Sequence, residues 1–157
     1  MTKLALPLLS VLVLTLPVRA AEQVLCFPSL MYGHILIGSA ASRYETSFVI
    51  HSRKGGRVTL KLFSDRNEPL EASFVDDRGN IAETSSAFEF LLAPDRTVKV
   101  RLQVPEADRK DEVMVKTGWA MFRFSQESEV QAIIRVRDMS GKLINQYVLL
   151  PDTPAQS

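Results

Sequence analysis

The chain has 157 residues, enough for one domain with its own core, and its 46% apolar and 24% charged residues are those of an ordinary globular protein. A formal net charge of +1 excludes the strongly basic composition that nucleic-acid binding usually requires. The single cysteine, Cys26, excludes an internal disulfide, so stability has to come from packing.

Residues 1–20 read as a secretory signal peptide. Met1-Thr2-Lys3 is a short positive start, Leu4 to Leu16 is an apolar run, and Val18-Arg19-Ala20 presents the residues a signal peptidase needs for cleavage before Ala21. The run is shorter than the roughly 20 residues of a membrane span. Nothing later in the chain is apolar enough to cross a bilayer, so the mature chain is expected to carry no transmembrane segment and to reside in the periplasm or outside the cell. Cleavage removes Lys3 and Arg19 and leaves the exported chain slightly acidic. Cys26 follows soon after. Leu25 before it is too large for a lipidation site, and a strand-borne, partly buried thiol is the expectation.

From there the chain reads as strands. Val24 to Met31 is apolar but holds Pro28, which suits a strand edge or end. Tyr32-Gly33-His34 breaks the run before Ile35 to Gly38. Tyr44 to Ser52 puts Tyr44, Thr46, Phe48 and Ile50 on one face. Arg53-Lys54-Gly55-Gly56 is a glycine turn, and Arg57 to Ser64 alternates with Val58, Leu60 and Leu62 inward. These two segments are expected to pair as an antiparallel hairpin. Leu70 to Val75 is a short strand between the turns Asp65 to Pro69 and Asp76 to Asn80. Ile81 to Ser86 is ambiguous between strand and loop. Ala87 to Leu92 and Thr97 to Val104 are strands around Ala93-Pro94-Asp95, and Glu106 to Glu112 is a solvated loop or one helical turn.

Val113 to Phe124 (VMVKTGWAMFRF) is the longest strand signal and holds the only tryptophan. Trp119 is the largest apolar side chain in the sequence, and burial in the core is expected of it, with a cost of about 3–5 kcal/mol for Trp119→Ala. Glu129 to Asp138 and Leu143 to Leu150 complete the set. With turns every ten residues or so and no amphipathic helix, the fold class is all-β, an antiparallel β-sandwich of about 7–9 strands. It is expected to form a single domain over 21–151, with a flexible tail over 152–157.

Four pieces, in order, carry a resemblance: Phe27-Pro28 followed by Gly33, the strand YETSFVIHS, the segment LLAPDRTVKVRL from Leu91 to Leu102, and VKTGWAMF from Val115 to Phe122. Together they resemble uncharacterised β-sandwich modules of secreted bacterial proteins, immunoglobulin-like in architecture. The chain departs from that pattern at His51-Ser52, where the modules have asparagine, and at Pro94-Asp95, where they have proline-glycine. The resemblance implies a sandwich fold and brings no catalytic residues with it.

Candidate chemistry is sparse. His34 and His51 lie seventeen residues apart and with Cys26 lack the ligand spacing of a zinc site, so no metal or cofactor is expected. No nucleophile elbow or phosphate-cradling glycine loop occurs. The acidic loops, Asp65-Asn67-Glu68 and Asp76-Asp77-Asn80, have the composition of turns and no EF-hand spacing. The remaining candidate is a basic outer face. Lys99 and Arg101 point one way from their strand and Arg135 and Arg137 from theirs, and neighbouring strands would make a patch suited to an anionic glycan or surface. Outward charge also simply keeps a sheet soluble. The expectation is therefore an exported, non-catalytic binding or structural module of the cell envelope or exterior, its partner a protein or an envelope glycan. A small periplasmic hydrolase or ligand-binding protein with a loop-built site is the alternative.

Overall fold

The computed structural model describes residues 22–39 and 41–152. The expected signal peptide and positions 153–157 of the expected tail lie outside them. Ten strands are present: β1 Gln23–Ile35, β2 Ser42–Ser52, β3 Gly56–Ser64, β4 Ala72–Val75, β5 Ile81–Ser85, β6 Ala87–Leu92, β7 Arg96–Gln103, β8 Val113–Phe124, β9 Glu129–Asp138 and β10 Leu143–Leu149. Between β7 and β8 the charged segment makes one 3-10 turn, Glu106–Asp108.

All ten belong to one antiparallel sheet. Its main path runs β5-β4-β7-β2-β1-β8-β3-β6, while β9 pairs with β2 and β10 lies beyond β9. Alternation decides which face each strand buries. Val58, Leu60 and Leu62 of β3, Val100 and Leu102 of β7, Ala120, Phe122 and Phe124 of β8, and Val130, Ala132 and Ile134 of β9 all point inward. The sheet bends over on itself. β2 and β8 never pair, yet the Phe48 and Phe122 rings lie 4.9 Å apart, edge to face, and Phe27 of β1 touches both at 5.6 and 5.8 Å. Tyr32 joins this core fully buried, its hydroxyl donating to the Glu71 carbonyl. Burial drives that hydroxyl far above the usual phenol range, so it stays protonated.

The structure differs from the sequence expectation in three places. First, there are ten strands, not about 7–9. Tyr32-Gly33-His34 does not break β1, because Gly33 takes a φ of +124° and lets β8 approach so closely that a Cβ there would lie 1.8 Å from the Met114 carbonyl oxygen. Pro28 is absorbed by a bulge, with the β1–β8 register shifting between Phe27 and Leu30. The ambiguous Ile81–Ser85 becomes a strand by pairing with β4.

Second, β2 and β3 do not form a hairpin. β2 pairs with β1, β7 and β9, and β3 with β6 and β8. The Gly55-Gly56 segment carries the chain across the core. Gly55, at φ +71°, is buried beneath the β6–β7 turn. That turn ties down the end of β2, the Asp95 amide donating to the Ser52 carbonyl at 3.0 Å.

Third, Trp119 is not in the core. On β8 the other face is buried: Gly118, Ala120, Phe122 and Phe124. Trp119 is half-buried on the outside, stacked on Phe63 at 4.3 Å, its indole N–H donating to Asn67 Oδ1 at 2.9 Å. Size alone misled here, because the face of a strand follows the parity of its neighbours. Gly118 shows the close fit on the inner side: a Cβ there would lie 2.0 Å from the Phe63 carbonyl oxygen.

The polar loops are held as turns. Asp76 Oδ1 accepts the Arg78 and Asn80 amides at 3.0 and 2.8 Å, and Asp138 Oδ1 accepts the Ser140 and Lys142 amides, each at 2.9 Å. Backbone donation from Asn80 holds the Asp76 carboxyl low, and the Ser140 hydroxyl does most of the same at Asp138. At the far end, Asp152 exchanges both backbone hydrogen bonds with Cys26, at 3.0 and 2.7 Å. Burial first, and the Asp152 charge second, push the Cys26 thiol up and keep it protonated.

Phe122→Ala is expected to cost about 3–5 kcal/mol in denaturant unfolding, whereas Trp119→Ala should cost only about 1–2 kcal/mol, the worth of a stacked, half-buried ring. Equal losses would contradict the assignment of the two faces. Carboxyl titrations should place Asp76 and Asp138 below the ordinary aspartate value of about 3.9. Because the folded state favours their charged form, their contribution to stability is complete above that value and is lost as pH falls through their lowered values.

Candidate binding face

The four cations singled out from sequence lie on one outer face, although their strands are not neighbours. β2 runs between β7 and β9, pairing with both. Directly opposed residues in an antiparallel sheet share a face, so the registers define rows. Lys99 is opposite Val49, which is opposite Gln131. Arg101 is opposite Ser47, which is opposite Ile133. Glu45 is opposite Arg135. Arg43 is opposite Arg137 on one side and His34 of β1 on the other.

Glu45 sits at the centre. Its carboxylate takes Arg101 Nη1 at 3.7 Å and Arg135 Nη1 at 3.6 Å, and the Ser47 hydroxyl donates to it at 3.1 Å. Arg135 Nε also donates to Gln146 Oε1 of β10 at 2.9 Å, and Arg137 Nη1 to the Gly141 carbonyl at 3.0 Å. The Arg101 and Arg135 side chains are three-quarters or so buried. Lys99 and Arg43 have no hydrogen-bond or ion-pair partner among the described residues. Burial lowers the Lys99 ammonium, and the nearby charges of Arg135, Arg101 and Arg137 lower it further, against Glu45 alone. Five cations therefore share this face, and two of them, Arg101 and Arg135, hold its one carboxylate, Glu45.

A cleft opens at one end of this face. β2 changes partners along one edge: Tyr44 pairs with Gly33 of β1, while Thr46 pairs with Leu102 of β7. Glu45, between them, has no partner on that edge in either ladder. The two strands part there and leave an open cavity of about 460 Å³, with Arg43, Arg137 and Arg109 among its walls. Arg109, just past the 3-10 turn, is braced by donating to the Val104 carbonyl at 3.2 Å and to Gln103 Oε1 at 3.1 Å. His34 reaches the rim with Nε2 against the Asp111 carbonyl at 2.7 Å, so that nitrogen carries the hydrogen.

The sequence reading did not single out Arg43 and Arg109. Arg43 could have been found, since it is in phase with Glu45 and Ser47 on the outward side of β2. Arg109 lies in a charged loop with no periodicity, and only the path of the loop brings it to the cleft. The two histidines do not meet. They sit eight residues apart along the β2 ladder, about 26 Å at the strand repeat. His51 Nδ1 pairs with the Thr97 hydroxyl at 3.1 Å. No group of three or more metal-ligating His, Cys, Asp or Glu side chains occurs among the described residues, and no described helix is long and apolar enough to cross a membrane. No protein-family model, curated protein or solved structure matches the chain.

Glu45 is the only neighbour that raises the Lys99 ammonium. Glu45→Gln should therefore move the Lys99 titration down, and Arg135→Gln should move it up. An NMR titration of Lys99 that shifts the other way in either variant would contradict this electrostatic arrangement.

Proposed function

We propose that the protein is an exported, non-catalytic module that binds an anionic glycan of the cell envelope or exterior through the face of β7, β2 and β9. The observation that carries this reading is the gathering of Lys99, Arg101, Arg135, Arg137 and Arg43 on the outer face of three adjacent strands, with the Glu45 carboxylate taken by Arg101 and Arg135. Cations kept at close quarters on a rigid sheet repel one another, and an anionic ligand relieves that repulsion. In a chain that is slightly acidic after loss of its leader, the concentration is positional and not compositional. Export is supported by the leader-like first twenty residues.

The architecture we favour is a sandwich. One layer is β6-β3-β8-β1 and the other β10-β9-β2-β7-β4-β5, joined at a corner by the three residue pairs of β1 with β2. The contact of Phe48 with Phe122 across the interior supports two facing layers. That arrangement also suits the likeness to secreted bacterial immunoglobulin-like modules. A hydrolase of the Ser-His-Asp kind would need a histidine paired with a carboxylate, whereas His34 and His51 bond to a carbonyl and a hydroxyl.

Retention of the purified protein on an immobilised acidic polysaccharide should exceed that on its neutral counterpart and fall as salt rises. The double variant Lys99→Gln/Arg135→Gln should weaken it at least about fivefold with little change in Tm. Equal retention on both matrices, or indifference to the double variant, refutes the reading.

A further inference from the structure

The cleft beside the basic face has features that the face lacks. Its row of His34, Arg43 and Arg137 sets two arginines directly opposite each other across β2 and β9, and both line the cleft. Like charges directly opposed across a sheet are destabilising unless something of opposite sign lies with them. Glu45 is one step along the strand and is already shared by Arg101 and Arg135. Arg109 approaches from the far wall on its own braces. Arg43 is the exposed, unpaired member of the set among the described residues. The cavity, about 460 Å³, falls in the usual range of roughly 300–1,000 Å³ for small-ligand sites.

We propose that this cleft takes a carboxylated sugar, a uronic-acid residue, with its carboxylate between Arg43 and Arg137 and its hydroxyls toward Glu45. The proposal rests on the glycan-binding reading of the adjoining face and names the chemistry that its end selects. Paired guanidinium groups match the planar, two-oxygen acceptor of a carboxylate. Glu45 is an acceptor only, so the same ligand must also bring donors, and sugar hydroxyls do. A free phosphate dianion brings no donor, and the second charge of any phosphate group adds to the repulsion from Glu45 that a carboxylate feels only once. A neutral sugar leaves the opposed arginines unmatched. The remaining lining supplies apolar contact for the C–H surface of a ring, from Leu36 and Tyr44. The cleft is continuous with the rows of Arg135, Arg101 and Lys99 along β2. An acidic polysaccharide can therefore seat one residue in the cleft and run its chain over the face.

The test is NMR titration of the purified protein with galacturonate, galactose and galactose 6-phosphate, in parallel with polysaccharide retention. Galacturonate is expected to saturate and to shift the resonances of Arg43, Tyr44 and Leu102. Arg43→Gln should weaken that binding at least about tenfold, and Lys61→Gln, exposed on β3 away from both the face and the cleft, should change it less than about twofold. Both side chains lie at the surface, and Tm with the unperturbed amide spectrum verifies that each variant is folded. The assignment is overturned if galacturonate does not saturate, if Arg43→Gln leaves it unchanged, or if galactose or galactose 6-phosphate binds as tightly. Failure of galacturonate with retention on the acidic polysaccharide intact defeats the cleft and leaves the glycan-binding face standing. Loss of both defeats both.

Discussion

Three phenylalanine rings make the contact on which the rest of the structure depends. Phe27, Phe48 and Phe122 come from β1, β2 and β8, and two of those strands share no hydrogen bonds. Their edge-to-face packing makes an otherwise continuous sheet close over its own apolar side. With no disulfide available, this burial and its neighbours carry the stability. Where the backbones come closest, only glycine fits: Gly33 against Met114 and Gly118 against Phe63.

The same contact sets the outer face. In a strand, each inward anchor fixes the direction of its neighbours. With Phe48 and Ile50 buried, Arg43, Glu45, Ser47 and Val49 are committed to the other side of β2. β7 and β9 dock on the two edges of β2 with their own inward anchors, Val100 and Leu102 on one, Ala132 and Ile134 on the other. The cations therefore stand in rows because the core beneath them is in register. The rows keep the cations' strands at fixed spacing, and burial together with the charges of Arg135, Arg101 and Arg137 lowers the Lys99 ammonium.

The corner between β1 and β2 leaves the candidate cleft. A sheet that bends over on itself needs a strand that changes partners. β2 does so at Glu45, where β1 ends its pairing and β7 begins. Backbone positions without a ladder partner leave room, and the room is walled by whatever side chains the outward phase supplies. Here they are arginines from β2 and β9 with one carboxylate, and the loop after β7 adds Arg109.

Alternation of apolar and polar residues determined a good deal without any structure. The sequence alone placed β3, β7, β8 and β9 nearly to their ends, named the inward residues of β3, and put Lys99, Arg101, Arg135 and Arg137 outside. That follows from local sterics, since successive side chains leave a strand on opposite faces whatever the strand pairs with. Pairing is another matter. Every strand edge offers the same amide and carbonyl groups, so no residue pattern says which edge meets which. The tertiary structure alone decided that β2 lies between β7 and β9, that β2 and β3 part across the core, and that Trp119 stacks on Phe63 outside it. It also decided that Arg43 and Arg109 meet at one cleft, because long-range packing, and not local sequence, brings a strand end and a loop together.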